Sequence, residues 1–134
     1  MAHISAYLTF NGNCRQAMQF YRDCLGGELQ LQELGDTPLG ENMPPAMRHA
    51  ILQATLTNSN LQLTATDMPD DDGLQRGNAV TLMLHCDTEE EIRRYYKKLS
   101  TGGRQAHPVE DVFGGGFSGD LIDKFGNRWL LVKH

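Results

Sequence analysis

The residues of this chain best suited to chemistry are its five histidines and three cysteines, and their spacing decides what they can do. Cys14, Cys24 and Cys86 are odd in number and lack the close pairing of a metal site, so reduced thiols are expected. Cys14 and Cys24 fall on one expected helix, too far apart along it to bridge. His3 and His134 lie beside the ends of the sequence, His107 precedes Pro108 on a short strand, and His49 and His85 fall on expected strands. No two of the five have helical or hairpin spacing suited to chelation. For His49 three roles stay open: a hydrogen-bonded structural residue, a ligand contact, or a metal ligand. The aspartates at 70–72 lack the alternating ligands and distal Glu of a calcium loop. There is no Gly-x-Ser-x-Gly elbow, P-loop or dinucleotide fingerprint. Gly114-Gly115-Gly116 neither follows a parallel strand nor opens a helix, so a tight loop is expected there rather than a phosphate cradle.

The elements that must position these residues form a repeat. Tyr7 to Gly27 reads as strand, turn, amphipathic helix and double-glycine stop, and Thr81 to Gly103 has the same form. In the first copy, His3–Phe10 alternates as a strand, Asn13 is placed to cap the helix, and Ala17, Phe20, Tyr21, Cys24 and Leu25 recur on one face. In the second, Thr88 and Glu91 form a capping box, and Ile92, Tyr95, Tyr96 and Leu99 make the buried stripe. Phe20, Tyr21, Tyr95 and Tyr96 are expected to supply the main helix-to-sheet anchors. Further strands are expected at Glu28–Leu34, Arg48–Thr57, Asn60–Thr66, Gln105–Pro108, Leu121–Ile122 and Asn127–Val132. The Gly35–Pro45 stretch is a loop, read either as solvated with a methionine tucked in, or as a flap or segment exchanged with a partner. Alternation sorts strand faces: Leu61, Leu63 and Ala65 lie opposite Gln62, Thr64 and Thr66, while Val80, Leu82 and Leu84 lie opposite Thr81, Met83 and His85. The expected organisation is a first module at 1–66, a linker at 67–77 and a second module at 78–134, together one compact domain.

Composition bounds the function classes. The chain has 134 residues, 40% hydrophobic and 22% charged, ordinary values for a globular protein. A net charge of −5 argues against a nucleic-acid partner. No apolar run is long enough to span a membrane, and MAHISAYLTF lacks the basic and apolar regions of a secretory leader, so a cytoplasmic protein is expected.

Taken in order, YLTFNGNC, the Phe20-Tyr21 pair with LGGE, MPP, His49-Ala50, TATDMP, LSTGG and DKFGNRW resemble the PhnB-like members of the vicinal oxygen chelate (glyoxalase/bleomycin resistance) superfamily. The resemblance implies an α+β fold of paired βαβββ modules, forming curved mixed sheets around a cleft, and a homodimer. Relatives often carry Phe-Trp-Gly where this chain has Phe113-Gly114-Gly115. Metal-dependent relatives hold an ion with four ligands, and alignment by the helix and glycine landmarks places those positions at Ala6, Gln62, Thr81 and Leu130. Alanine and leucine donate nothing, threonine is a poor ligand, and one glutamine does not hold a divalent ion.

These readings lead to a metal-free small-molecule-binding protein, with no catalytic residue, metal or cofactor assigned and the ligand unidentified. The alternative is a metal-dependent lyase or dioxygenase of the same superfamily. The expected ligand-lining residues are Leu8, Phe10, His49, Gln62, Thr64, Thr81, Met83, His85, Phe113 and Arg128. They are mostly apolar with a few polar anchors, Arg128 being suited to an anionic group.

Overall fold

Each half of the chain runs strand, helix and then three strands, and each half closes into its own four-stranded sheet. The computed structural model describes residues 2–67 and 73–134, with Leu39 described by its backbone alone. The chain divides into two compact units, Met1–Leu74 and Gln75–His134. Of the expected linker at 67–77, residues 68–72 lie outside the described residues, and Asp67 belongs to the strand before it.

In the first unit, β1 (Ala6–Phe10), α1 (Cys14–Leu25), β2 (Glu28–Glu33), β3 (Ile51–Asn58) and β4 (Leu61–Asp67) give the sheet order β1-β4-β3-β2. The first strand pairs parallel with the last, and the other pairs are antiparallel. Helix α1 packs on β2, β3 and β4. The register aligns Ala54 and Leu56 of β3 with Ala65 and Leu63 of β4, all at most 3% exposed, so this is the covered face. Opposite residues in paired strands share a face.

The buried face of α1 is Cys14, Ala17, Met18, Tyr21, Cys24 and Leu25. Met18 takes the place expected of Phe20, which is only half-buried and sets its ring edge-on to Tyr21 at 5.7 Å between centroids. The stripe is centred on the i, i+3, i+4, i+7 series from Cys14, and Phe20 falls at its margin. In α2 (Glu89–Ser100) the matching anchor is Tyr96, 5% exposed, while Tyr95 is half-buried under the Arg94 guanidinium.

The two helices begin differently. Asn13 makes no capping bond with its side chain. Instead, buried Asp67 at the far end of β4 accepts from the Gly12 and Cys14 amides with Oδ1, both at 3.0 Å, and from the Ile51 amide with Oδ2 at 2.9 Å. One carboxylate thereby joins the start of α1, the start of β3 and the end of β4. Helix α2 is capped locally as expected: Thr88 Oγ1 accepts from the Glu91 amide at 3.0 Å, and Glu91 Oε1 accepts from the Asp87 amide at 3.1 Å.

The second unit repeats the plan with β5 (Leu82–Cys86), α2, β6 (Arg104–Asp111), β7 (Phe117–Ile122) and β8 (Arg128–Lys133), in the order β5-β8-β7-β6. Its covered face carries Leu121, Trp129 and Leu131, at most 2% exposed. The β7–β8 hairpin turns on Asp123, itself 2% exposed. Its Oδ1 accepts from the Phe125 and Asn127 amides and its Oδ2 from the Trp129 indole at 2.8 Å, while Gly126 supplies the positive φ of +90°. Among the described residues no helix is long and apolar enough to cross a membrane.

Replacing Asp67 with Ala should leave three amide donors without their acceptor and cost about 3 kcal/mol, given a penalty of roughly 1–3 kcal/mol per buried unsatisfied group partly relieved by water. Urea denaturation measures this; a midpoint equal to that of the parent chain would show that the carboxylate does not hold the unit together.

Candidate functional site

One helix covers one face of each sheet and leaves the other bare, and the register reads out which side chains occupy the bare faces. On the second sheet they form cross-strand rows. The first row is Arg104, Ile122 and Arg128, with Thr81 continuing it one residue before β5. The second is His107, Asp120, Leu130 and Met83. The third is Glu110, Ser118, Val132 and His85. A hollow of about 290 Å³ lies over the first two rows, lined by Thr81, Arg104, His107, Asp120, Ile122, Arg128 and Leu130 among others.

The strand geometry that aims His107 into this hollow is irregular. Between Gln105 and Glu110, β6 gains one residue on β7 before His107 and another after it, so the histidine sits between two bulges. Pro108, which has no amide hydrogen to give, occupies this stretch of an edge strand. The Tyr96 hydroxyl reaches up from α2 to within 2.9 Å of the carbonyl oxygens of both His107 and Asp120, which share its one proton. Burial first, and then the Asp120 charge, raise the pKa of Tyr96, so it stays protonated as this tie requires. On the open side, His107 Nδ1 lies 2.8 Å from Asp120 Oδ1.

The open face of the first sheet has a different character. Tyr7, Thr9, Gln30, Gln32, Gln53, Thr55, Thr57, Gln62, Thr64 and Thr66 populate it, uncharged side chains with Glu28 beside them at the edge. A shallower hollow of about 230 Å³ lies over Gln30, Gln32, Gln53 and Thr55.

The ten expected lining residues therefore separate. Thr81 and Arg128 come together in the larger hollow. Met83 and His85 lie on the same open face beside Leu130 and Val132, with His85 6.2 Å from the His134 ring. Gln62 and Thr64 lie on the first sheet's open face. Leu8 and Phe10 do not join them: they pair with Ala65 and Asp67 on the helix-covered face, and Phe10 is fully buried. The alternation of β1 is one residue out of phase with that expectation, so Tyr7, 63% exposed, takes the open side. The same shift turns Ala6 to the covered face beside Leu63. His49 lies in a turn before β3, exposed, with Nδ1 3.1 Å from Glu33, a carboxylate also held by Arg15 at 2.9 Å. Phe113 is fully exposed in the glycine turn between β6 and β7. Arg104, His107 and Asp120 were not expected. The two bulges leave no mark in the alternation, and Asp120 precedes the strand expected at Leu121–Ile122, which in fact begins at Phe117.

The donor chemistry does not fit a metal. Among the described residues no three His, Cys, Asp or Glu side chains are grouped to hold an ion. The residues at the superfamily's ligand positions are one glutamine, one threonine, one leucine and an alanine on the covered face, which do not make a donor set. The thiols are equally unsuited: burial, then the nearby Asp67 charge, push Cys14 up to about 12, and burial with Glu91 and Asp87 push Cys86 up to about 11.

Comparison with known proteins agrees with this geometry. A protein-family model described as 3-demethylubiquinone-9 3-methyltransferase matches residues 2–132. Protein YjdN of Escherichia coli (strain K12) is 28% identical over 138 residues, spanning 96% of this chain and 92% of YjdN. Among solved structures, protein PA1353 of Pseudomonas aeruginosa superposes with a TM-score of 0.88 at 29% identity, covering 100% of this chain and 98% of that one. The PhnB protein of Bacillus cereus gives 0.79 at 26% identity over 99% of this chain and 100% of that one. A member of the glyoxalase/bleomycin resistance protein/dioxygenase superfamily from Sphaerobacter thermophilus shares the fold, with a TM-score of 0.60 at 21% identity over 100% and 98% of the two chains.

The raised thiol values set an expectation for reactivity. At pH 8 the thiolate fraction of Cys86 should be roughly 100-fold below that of an ordinary thiol titrating at 9.0, and that of Cys14 lower still. Iodoacetamide should label neither in the folded protein and both in urea. Rapid labelling of the native chain at pH 8 would show an activated thiol.

Proposed function

We propose that this chain, which belongs to the PhnB-like family described as 3-demethylubiquinone-9 3-methyltransferase within the glyoxalase/bleomycin resistance superfamily, is a metal-free small-molecule-binding protein. The observation that carries this reading is the hollow on the second sheet's open face, where charged and hydroxyl side chains surround the apolar Ile122 and Leu130. Concave sites of mixed lining with a few polar anchors are the usual form of small-ligand sites. The metal-dependent lyase or dioxygenase alternative needs convergent N, O or S donors, and the ligand positions do not provide them. Methyl transfer, suggested by the family's description, gains no support from a sequence without a glycine-rich cofactor turn.

The working form in this proposal is a homodimer. Ile4, Tyr7, Val80, Met83 and Phe113 are between 54% and 108% exposed in the single chain and are available for a second copy to cover. Symmetric pairing is the commonest way to cover such residues.

A thermal-shift screen of small molecules, run with and without EDTA, tests the binding reading, because a ligand of the native state raises its melting temperature. Stabilising compounds whose effect survives EDTA, from protein with no stoichiometric metal by elemental analysis, are expected. About one zinc, nickel, iron or manganese per chain, with hits lost on chelation, would replace this reading with the metal-dependent one. Light scattering at micromolar concentration should give twice the 15.0 kDa chain mass; a monomer would remove the dimer from the proposal.

A further inference from the structure

We propose that the ligand of the second sheet's hollow is a compact organic anion, its carboxylate or phosphonate head held by Arg104 and Arg128 and its apolar body lying on Ile122 and Leu130. This rests on the small-molecule reading above and names the chemistry it leaves open. Arg104 and Arg128 occupy the two outer strands of one cross-strand row, with Ile122 between them. Two strand spacings separate their backbones by roughly 10 Å. Long side chains from both sides can therefore close on one group held over the isoleucine.

Among the described residues neither guanidinium is committed elsewhere: neither Arg104 nor Arg128 has a carboxylate within ion-pair distance. Both line the hollow. The carboxylate that lines the hollow, Asp120, is hydrogen-bonded to His107 at 2.8 Å rather than held by either arginine. Two unpaired arginines in one concavity of a chain with net charge −5 run against the overall field and mark a place selective for negative charge. Arginine is the side chain whose planar fork matches a carboxylate or phosphonate. The first sheet's open face, with only amides, hydroxyls and one phenol across its centre, offers no such pairing. At about 290 Å³ the hollow sits at the small end of ligand sites, which suits a compact molecule.

Calorimetric titration with three matched probes tests this: 3-phenylpropanoate, (2-phenylethyl)phosphonate and 3-phenylpropan-1-ol. Both anions should bind, the alcohol should bind at least about tenfold more weakly, and added salt should weaken the anions only. Arg104→Gln and Arg128→Gln should each weaken the anions about tenfold, while Arg15→Gln in the first unit leaves them unchanged. The two anions differ in head-group charge, so their order of affinity assigns the carboxylate or the phosphonate as the preferred head. Melting curves of each variant show whether it is folded. Equal affinity for alcohol and anions, or anion binding untouched by both arginine variants, overturns the anion assignment while the small-molecule reading stands. Failure of all three probes also overturns it; the small-molecule reading falls with it only if the neutral and cationic compounds of the thermal-shift screen fail too.

Discussion

Each four-stranded sheet in this protein has one helix, and one helix covers one face. The rest follows from that shortage. The covered faces gather the residues that drive folding, Tyr21 and Met18 over one sheet and Ile92, Leu99 and Tyr96 over the other. The open faces are released from packing and are free to carry chemistry. They have taken different directions, the first mostly to amides and hydroxyls, the second to arginines, a His–Asp pair and an apolar floor. The parallel pairing of first and last strand in each unit makes this possible, because it brings the strand before the helix back beside the end of the unit.

The short motifs that carry the family resemblance turn out to maintain this architecture. In DKFGNRW, Asp123 binds two turn amides and the Trp129 indole, and Gly126 takes a conformation that favours glycine. In LGGE, a side chain on Gly27 would come within 2.6 Å of the Thr57 carbonyl oxygen. In TATDMP, Asp67 ties three segments together. These motifs report a fold, and fold alone does not select a reaction. The polar residues of the candidate site, Arg104, His107 and Arg128, make none of these structural bonds, although Arg128 falls within DKFGNRW.

Much of the fold was legible because hydrophobic period and glycine stops are local signals. The helices, the local cap at Thr88–Glu91, the Asp123 turn and the faces of β4 and β5 could all be read that way. What could not be read depended on distant partners. Asn13 looked like a cap, yet the cap is Asp67, brought up by β4. Leu8 and Phe10 alternate correctly, but the chain alone does not say which phase of β1 meets the helix. His49 was assigned to a strand that begins only at Ile51. At the candidate site, Thr81 and Arg128 were readable from alternation, whereas His107 and Asp120 meet through two bulges that shift register without altering composition.

The central claim is that ligand chemistry belongs to the open face of the second sheet. Methyl-resolved NMR with saturating 3-phenylpropanoate, in the presence of EDTA, addresses it most directly. The account predicts shifts at the methyls of Ile122, Leu130 and Met83, with Leu131, Leu99 and Ile92 on the covered side unmoved. Shifts confined to the covered-face methyls or to the first unit, or shifts that vanish with chelator, would contradict it.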